Sequence, residues 1–213
     1  MSEVAEGKQP RREQILRTAT KIFCDKTYHG TTLQDIADAV GMLKGSLYYY
    51  ISSKEKLLDD IILDAVHTLN KDLERVERAN LPPVERLRQI IKEHVKFNAN
   101  YKESGTLFIT ERNVISSLAM GELVAILDRR DKLVTKTLNE AVEMGLYRPV
   151  DIRLTALAIV GLCNSLLFWY QPTGRLSYKA IADAFFELLH QGLASGSNRG
   201  SLVWLSPEPR PAV

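Results

Sequence analysis

The sequence predicts an all-α chain of nine helices, three in a small N-terminal domain and six in a larger C-terminal one. Three observations predict it. Apolar residues recur at helical spacing, as in Leu57, Leu58, Ile61, Ile62, Ala65, Leu69 and Leu73, the one-sided stripe of an amphipathic helix. No stretch alternates with the period of a strand, and no segment repeats. Helix punctuation is explicit: Thr31 before Gln34 and Ser52 before Glu55 are capping-box pairs, while Gly41, Gly145 and Pro82-Pro83 are stop signals.

Taken in order, residues 1–9 read as a flexible arm, and Arg11 and Arg12 as phosphate contacts or as solvated charges at a helix start. The first helix, about 12–26, carries Ile15, Leu16, Ala19, Ile22 and Phe23 on one face. The second begins near Thr32 and turns Ile36, Ala37 and Val40 inward; the third, about 44–50, is anchored by Leu47. A fourth, about 53–79, joins the two domains. The close spacing of the second and third helices is that of a helix-turn-helix, whose second helix enters a DNA major groove. The chemistry agrees. Between Asp38 and Glu55 the only charged residues are Lys44 and Lys54. Gly45 and Ser46 keep the front of the third helix small, and Tyr48, Tyr49 and Tyr50 offer rings and hydroxyls to phosphates and sugars. Backbone amides near Thr31, Thr32 and Ser53 are placed to receive phosphate. The competing reading is a purely structural helical hairpin.

Helices are predicted over about 83–101, 106–116, 119–144, 151–170 and 177–194. The 151–170 segment is apolar on nearly all sides, so it is expected to be buried on more than one. The domains are then 1–52, 53–195 and a Gly-, Ser- and Pro-rich tail, 196–213, read as mobile, with Leu202, Val203, Trp204 and Leu205 able to dock locally.

Bulk charge does not announce a nucleic-acid binder: 28 basic against 26 acidic residues leave +2, so any attraction is local. Cys24 and Cys163 are far apart inside apolar segments and read as buried free thiols, which suits a reducing cytoplasm. The polar N-terminus is not a signal peptide, and the apolar run 154–170, interrupted by Asn164 and Ser165, is short for a bilayer span; no membrane is expected. His29, His67, His94 and His190 are scattered, with no metal-ligand spacing, no Ser–His–acid order and no Gly-rich phosphate loop. An enzyme, a metal and a bound cofactor are therefore not expected.

TTLQDIADAVG, KGSLYYY and SKEKLL, with RREQILRTATKIF upstream, resemble the tetracycline-repressor (TetR) family of one-component regulators. Three positions depart from its pattern: Thr27 where a Gly usually closes the first helix, Leu43 where a Ser or Thr cap is common, and Ile51 for Phe. The resemblance implies a cytoplasmic homodimeric repressor on a palindromic double-stranded operator, released by a small-molecule effector. It implies that the last two helices pair with their copies, through Ala158, Gly161, Ser165, Ala180, Ala184 and Leu188; an ordinary monomeric core is the alternative. GMLKGSLYYY, LNEAVEMGLYRP and FWYQPTGRLS, with Trp169, Tyr170, Pro172, Gly174 and Leu176, resemble the subgroup that senses acyl-CoA thioesters of fatty-acid and steroid breakdown.

A ligand pocket needs an apolar wall with a few orienting polar groups. The candidates are Phe97, Tyr101, Phe108, Glu111, Arg112, Ile126, Arg130, Leu133, Val134, Asn164, Leu167, Phe168 and Tyr170. Arg112, Arg129, Arg130 or Arg148 would pair with CoA phosphates while a long-chain or steroid-like acyl group fills the apolar channel. Alternatives are another hydrophobic effector of the drug or efflux type, a DNA-binding factor with a protein partner, and an acyl-CoA-binding enzyme.

Overall fold

The structure, a computed structural model, describes residues 3–194, all α-helix and connections apart from one isolated bridge between Tyr147 and Ala194. The predicted arm, 1–9, is largely taken into the first helix, α1 (Glu3–Lys26), which passes through Pro10; the predicted tail with Leu202, Val203, Trp204 and Leu205 lies outside the described residues. Next come α2 (Leu33–Ala39), α3 (Lys44–Leu47) and the long α4 (Lys54–Arg78). The C-terminal part is built from α5 (Pro83–Asn100), α6 (Lys102–Thr110), α7 (Ser117–Glu143), α8 (Ile152–Asn164), α9 (Leu166–Trp169) and α10 (Tyr178–Leu193). The nine predicted helices are all present. The eighth is broken at Ser165 into α8 and α9, giving ten segments among the described residues.

Side-chain chemistry sets several boundaries one residue from expectation. Thr31 is buried and its hydroxyl donates to the Thr27 carbonyl at 2.8 Å, so it cannot cap. Thr32 caps α2 instead: its Oγ1 accepts from Asp35 N–H while its own N–H donates to Asp35 Oδ2 at 2.8 Å. These Thr32 hydrogen bonds, with Lys26, hold the Asp35 carboxyl well below the usual carboxylate range. Ser53, not Ser52, caps α4 by accepting from Lys56 N–H. Thr27 adopts φ +68°, the left-handed conformation for which Gly is usual. Its Oγ1 accepts from Gly30 N–H at 3.2 Å and its carbonyl from Thr31, bonds that offset part of the β-branched penalty.

The sixth helix starts four residues before its predicted start, at Lys102, and stops at Thr110. Gly105 allows it: a Cβ there would meet Leu167 Cδ2 at 2.7 Å, so the glycine is a packing contact between α6 and α9 and not a break. Cys163 is buried as expected, but Cys24 is exposed, its Sγ lying 3.8 Å from the Glu103 carbonyl.

Two apolar clusters make the core. The first joins α1–α3 to the N-terminal half of α4 through Leu57, Leu58, Ile61, Ile62 and Val66, and extends to Leu107, Ile115, Leu123 and Ile126 of the C-terminal part. The second gathers Leu69, Leu73 and Val76 of α4 with α5, the C-terminal half of α7, α8 and α10. Asp59, buried in α4, accepts from Ser116 N–H at 3.1 Å, and His67 lies 2.9 Å from Glu122, pinning the start of α7 to α4.

The expectation that 151–170 is buried on several sides is not met. Only 22% of Ile152–Trp169 is buried within the chain. Leu154, Leu157 and Phe168 stand exposed, at 64%, 58% and 75%. Leu188 of α10 is exposed as well. Periodicity shows that a helix is apolar all round; it does not show which neighbour covers each side.

Candidate functional site

Two regions carry the candidate chemistry. The first is the front of α3. Lys44, Gly45, Ser46, Tyr48 and Tyr49 are all exposed there, and Thr32 is exposed at the start of α2. Leu43 precedes α3 in extended conformation without capping it and is itself exposed. Tyr50 is half-buried against the N-terminal core and meets Tyr49 edge-on, with ring centroids 5.6 Å apart. Thr31 is buried and faces inward.

Lys54 is engaged by the protein itself. Its Nζ donates to the carbonyls of Tyr28 at 3.1 Å and Thr31 at 3.0 Å and sits 4.3 Å from the Tyr28 ring centroid. The ammonium thus ties the α1–α2 turn to the first turn of α4. A second tie runs from the same turn to the end of α6, where His29 Nε2 lies 3.7 Å from Glu111 Oε2.

The second region is a cavity of about 160 Å³ where the two apolar clusters meet, enclosed by α4, α5, α6, α7 and the α8–α9 break. Its wall takes Ile62, Ala65, Val66 and Leu69 from α4, His94, Phe97 and Asn98 from α5, and Ser104, Gly105, Phe108 and Ile109 from α6. Leu123, Leu127 and Arg130 of α7 close it with Asn164 and Leu167. His94 Nε2 is 3.0 Å from Asn164 Oδ1, and Asn98 Nδ2 donates to the Cys163 carbonyl at 3.0 Å. Burial, helped by the neighbouring Arg130 charge, pushes the His94 pKa down to about 3, so the imidazole is neutral. Outside lies an open cleft of about 710 Å³ walled by α1, α4, the α5–α6 junction and Gln171-Pro172. Ala65 and Ser104 line both hollows, so they share a wall.

Of the sequence-predicted ligand residues, Phe97, Phe108, Arg130, Asn164 and Leu167 are brought together on the cavity wall. Tyr101 stacks on Phe97 at 5.3 Å and faces the outer cleft. Glu111 turns to His29, Arg112 is exposed, and Phe168 points outward. Ile126, Leu133 and Val134 belong to the packed clusters, as does Tyr170, whose carbonyl accepts from Lys102 at 2.7 Å. On α7, Leu123, Leu127 and Arg130 share the cavity face; Val134 continues that stripe one turn beyond the cavity, and Ile126 and Leu133 lie on the neighbouring strip. Arg129 pairs with Glu74 at 3.5 Å and Arg148 Nε donates to the Gly192 carbonyl, both away from the cavity; the cations of the outer cleft are Arg17, Lys21 and Lys102. His94 and Asn98 were missed, though two polar residues one turn apart on an otherwise apolar face were a legible signal. Among the described residues no group of His, Cys, Asp and Glu is arranged to hold a metal ion.

A three-helix reader on an all-α body, with the body hollow at its heart, defines a helix-turn-helix transcription regulator. The chain belongs to the tetracycline-repressor family: residues 15–61 match its DNA-binding domain (bacterial regulatory proteins, tetR family), and residues 80–193 match a tetracyclin repressor-like C-terminal domain. The repressor KstR2 of Mycolicibacterium smegmatis is 25% identical over 185 residues, 86% of this chain and 90% of that one. The ketosteroid regulator KstR2 of Mycobacterium tuberculosis shares the fold, with TM-score 0.81 at 23% identity over 87% of this chain and 96% of that one. AibR, solved with isovaleryl coenzyme A and operator DNA, has TM-score 0.74 at 29% identity over 84% and 98%.

Two outcomes follow from this geometry. Lys54→Met is expected to lower stability by about 1–2 kcal/mol and to leave the salt dependence of operator binding unchanged. A slope shallower by about one unit, with stability intact, would instead assign Lys54 to a phosphate. For His94, the unfolded pKa near 6.5 lies above the folded value of about 3, so the unfolded state takes up the proton first as pH falls. The parent should therefore lose about 1.4 kcal/mol more per pH unit than His94→Gln between these values. Parallel losses in urea unfolding at pH 6 and pH 4 would mean that folded His94 takes up its proton.

Proposed function

We propose that this protein is a homodimeric operator-binding repressor released by a small hydrophobic effector, an acyl-CoA thioester. The observation that carries the reading is the pair of adjoining hollows. The inner one is apolar with a few polar groups, suited to an acyl group, and the outer one carries Arg17, Lys21 and Lys102 against Asp64 and Glu103, suited to the phosphates of CoA. AibR's complex with isovaleryl coenzyme A supports the class. The inner volume resembles that of a cavity that holds one benzene ring, about six carbons. A long-chain or steroid-like group, the expectation from sequence, requires the hollows to open into one another past Ala65 and Ser104.

The cleft also explains how an occupant reaches DNA. Leu16, Arg17, Thr20 and Lys21 of α1 form part of its wall, so a ligand there touches the reader directly. Lys44 with the exposed Tyr48, Tyr49 and Ser46 would meet the operator, Lys44 at a base edge or phosphate and the tyrosines at phosphates. Two such readers must match the spacing of successive helical turns. A hundredfold release needs a difference of about 3 kcal/mol in ligand affinity between the two reader spacings. A buried acyl chain supplies about 0.8 kcal/mol per methylene. Anisotropy of a labelled operator, titrated with CoA and with acetyl-, isovaleryl-, hexanoyl- and lauroyl-CoA, tests the reading. Release is expected to strengthen from acetyl to hexanoyl, with free CoA poor. Equal release by free CoA, or none by any ester, would overturn the effector class.

The exposed apolar positions of α8 and α10, among them Leu154, Leu157, Ala158, Gly161, Ala184 and Leu188, support pairing of these helices with a second copy; Ser165 at the helix break is half-buried, and Ala180 opens the exposed face of α10. Ala184 is exposed in the single chain, so Ala184→Arg leaves the fold intact while placing a charge in the seam. Monomers and lost operator binding are expected. A variant that still sediments as a dimer would put the interface elsewhere.

A further inference from the structure

The polar end of the inner cavity restricts what its occupant must offer. Asn98 Nδ2 faces the Cys163 carbonyl at 3.0 Å, and a carbonyl only accepts, so this nitrogen is fixed as a donor. The same nitrogen lies 3.4 Å from Asn164 Oδ1, which orients the Asn164 amide with its oxygen toward Asn98. His94 Nε2, 3.0 Å from that oxygen, must then carry its hydrogen. Asn164 Oδ1 is thus occupied by two donors, and Asn164 Nδ2 has no hydrogen-bond partner among the described residues.

Arg130 reaches the same end. Its Nε and Nη2 go to the Asp131 carboxylate at 2.9 and 2.8 Å, and its Nη1 has no partner among the described residues. The side chain is only 11% exposed. No Asp or Glu is among the residues lining the cavity, so Arg130 is the one charge on that wall. His94, held neutral, adds none. Around this end the wall is apolar, and half-buried donors without acceptors are costly to leave unmatched.

We propose that the acyl group bound in this cavity carries an oxygen acceptor, a carbonyl or a carboxylate, received by Arg130 Nη1 and Asn164 Nδ2. The inference rests on the reading of this hollow as the effector site. It sets the effector apart from a plain alkanoyl thioester: a saturated chain of the same length fills the apolar wall but leaves both donors unmet. A site built to hydrogen-bond its ligand discriminates more strongly against an analogue lacking that group than an apolar pocket discriminates between methylenes.

The test uses hexanoyl-CoA, 5-oxohexanoyl-CoA and adipoyl-CoA, alike in carbon number, as releasing agents on the operator complex. The oxo or the carboxy ester is expected to act at roughly tenfold lower concentration than hexanoyl-CoA, and the better of the two identifies the oxygen as ketone or carboxylate. Arg130→Met and, separately, Asn164→Leu should erase that ranking; thermal unfolding confirms that each variant is folded, and having two guards against one that is not. Hexanoyl-CoA equal to or better than both oxygenated esters overturns the proposal, as does a ranking that survives both substitutions. If no CoA ester releases DNA, the CoA reading fails on its own, and the cavity is probed without CoA. Ligand-observed NMR with cyclohexanone, cyclohexanecarboxylate and methylcyclohexane then decides. An oxygenated ring that binds the parent more tightly than methylcyclohexane, and loses that margin in Arg130→Met, sustains the proposal. Methylcyclohexane binding as well, or no binding by any of the three, overturns it.

Discussion

The packing of α4 into both apolar clusters is the constraint on which the other features depend. Its first turns, from Leu57 to Val66, share the cluster of α1–α3, and its last, from Leu69 to Val76, share the other cluster, where α4 packs against α5 and α7. A single helix is stiff over this length, so the reader and the body cannot shift relative to each other without tilting it or repacking one of its faces. The Lys54 ammonium strengthens the connection by gripping two carbonyls of the α1–α2 turn, and His29–Glu111 adds a contact from that turn to α6. The reader is thus docked at several places onto the part that holds the cavity.

The cavity lies at the seam between the clusters. Ile62, Val66 and Leu123 belong to one and Leu69 to the other, and all four line the hollow. Packing defects collect where two well-packed bodies meet, because neither can fill the gap without straining its own core. Gly105 against Leu167 shows how closely the wall is fitted, since one added carbon would collide. The polar groups at its end are paired among themselves through Asn164 Oδ1, while burial and the Arg130 charge keep His94 neutral and donors remain toward the hollow.

The outer faces of α8 and α10 show the opposite imbalance. Large apolar side chains stand in solvent in the single chain, although α8 meets α5, α7 and α10, and α10 meets α5. That surface exceeds what scattered surface leucines explain, which supports the proposed pairing with a second copy. The break at Ser165, whose Oγ donates to the Leu162 carbonyl at 2.7 Å, turns Leu166 and Leu167 inward while leaving Phe168 outside.

Much of this was legible in the residues. Capping chemistry and apolar spacing placed all nine helices, with α2, α4 and α10 correct to within a residue or so, because these signals act within a few residues of one another. The helix-turn-helix was legible for the same reason: Ile36, Val40 and Leu47 declare their inward faces, and the acid-free stretch from Lys44 to Lys54 declares the outward one. What the sequence left open was what each face meets. Helical spacing grouped the α7 residues correctly, yet only packing assigned Leu123, Leu127 and Arg130 to the hollow and Leu133 and Val134 to the core. Lys54 read with Lys44 as a cation for operator phosphates, and the fold brings the Tyr28 and Thr31 carbonyls to its ammonium. The 151–170 stretch read as buried on more than one side, whereas only 22% of Ile152–Trp169 is buried within the chain. Local interactions decide which residues share a face; the partner of that face depends on contacts between segments far apart in sequence, and only the tertiary structure decides those.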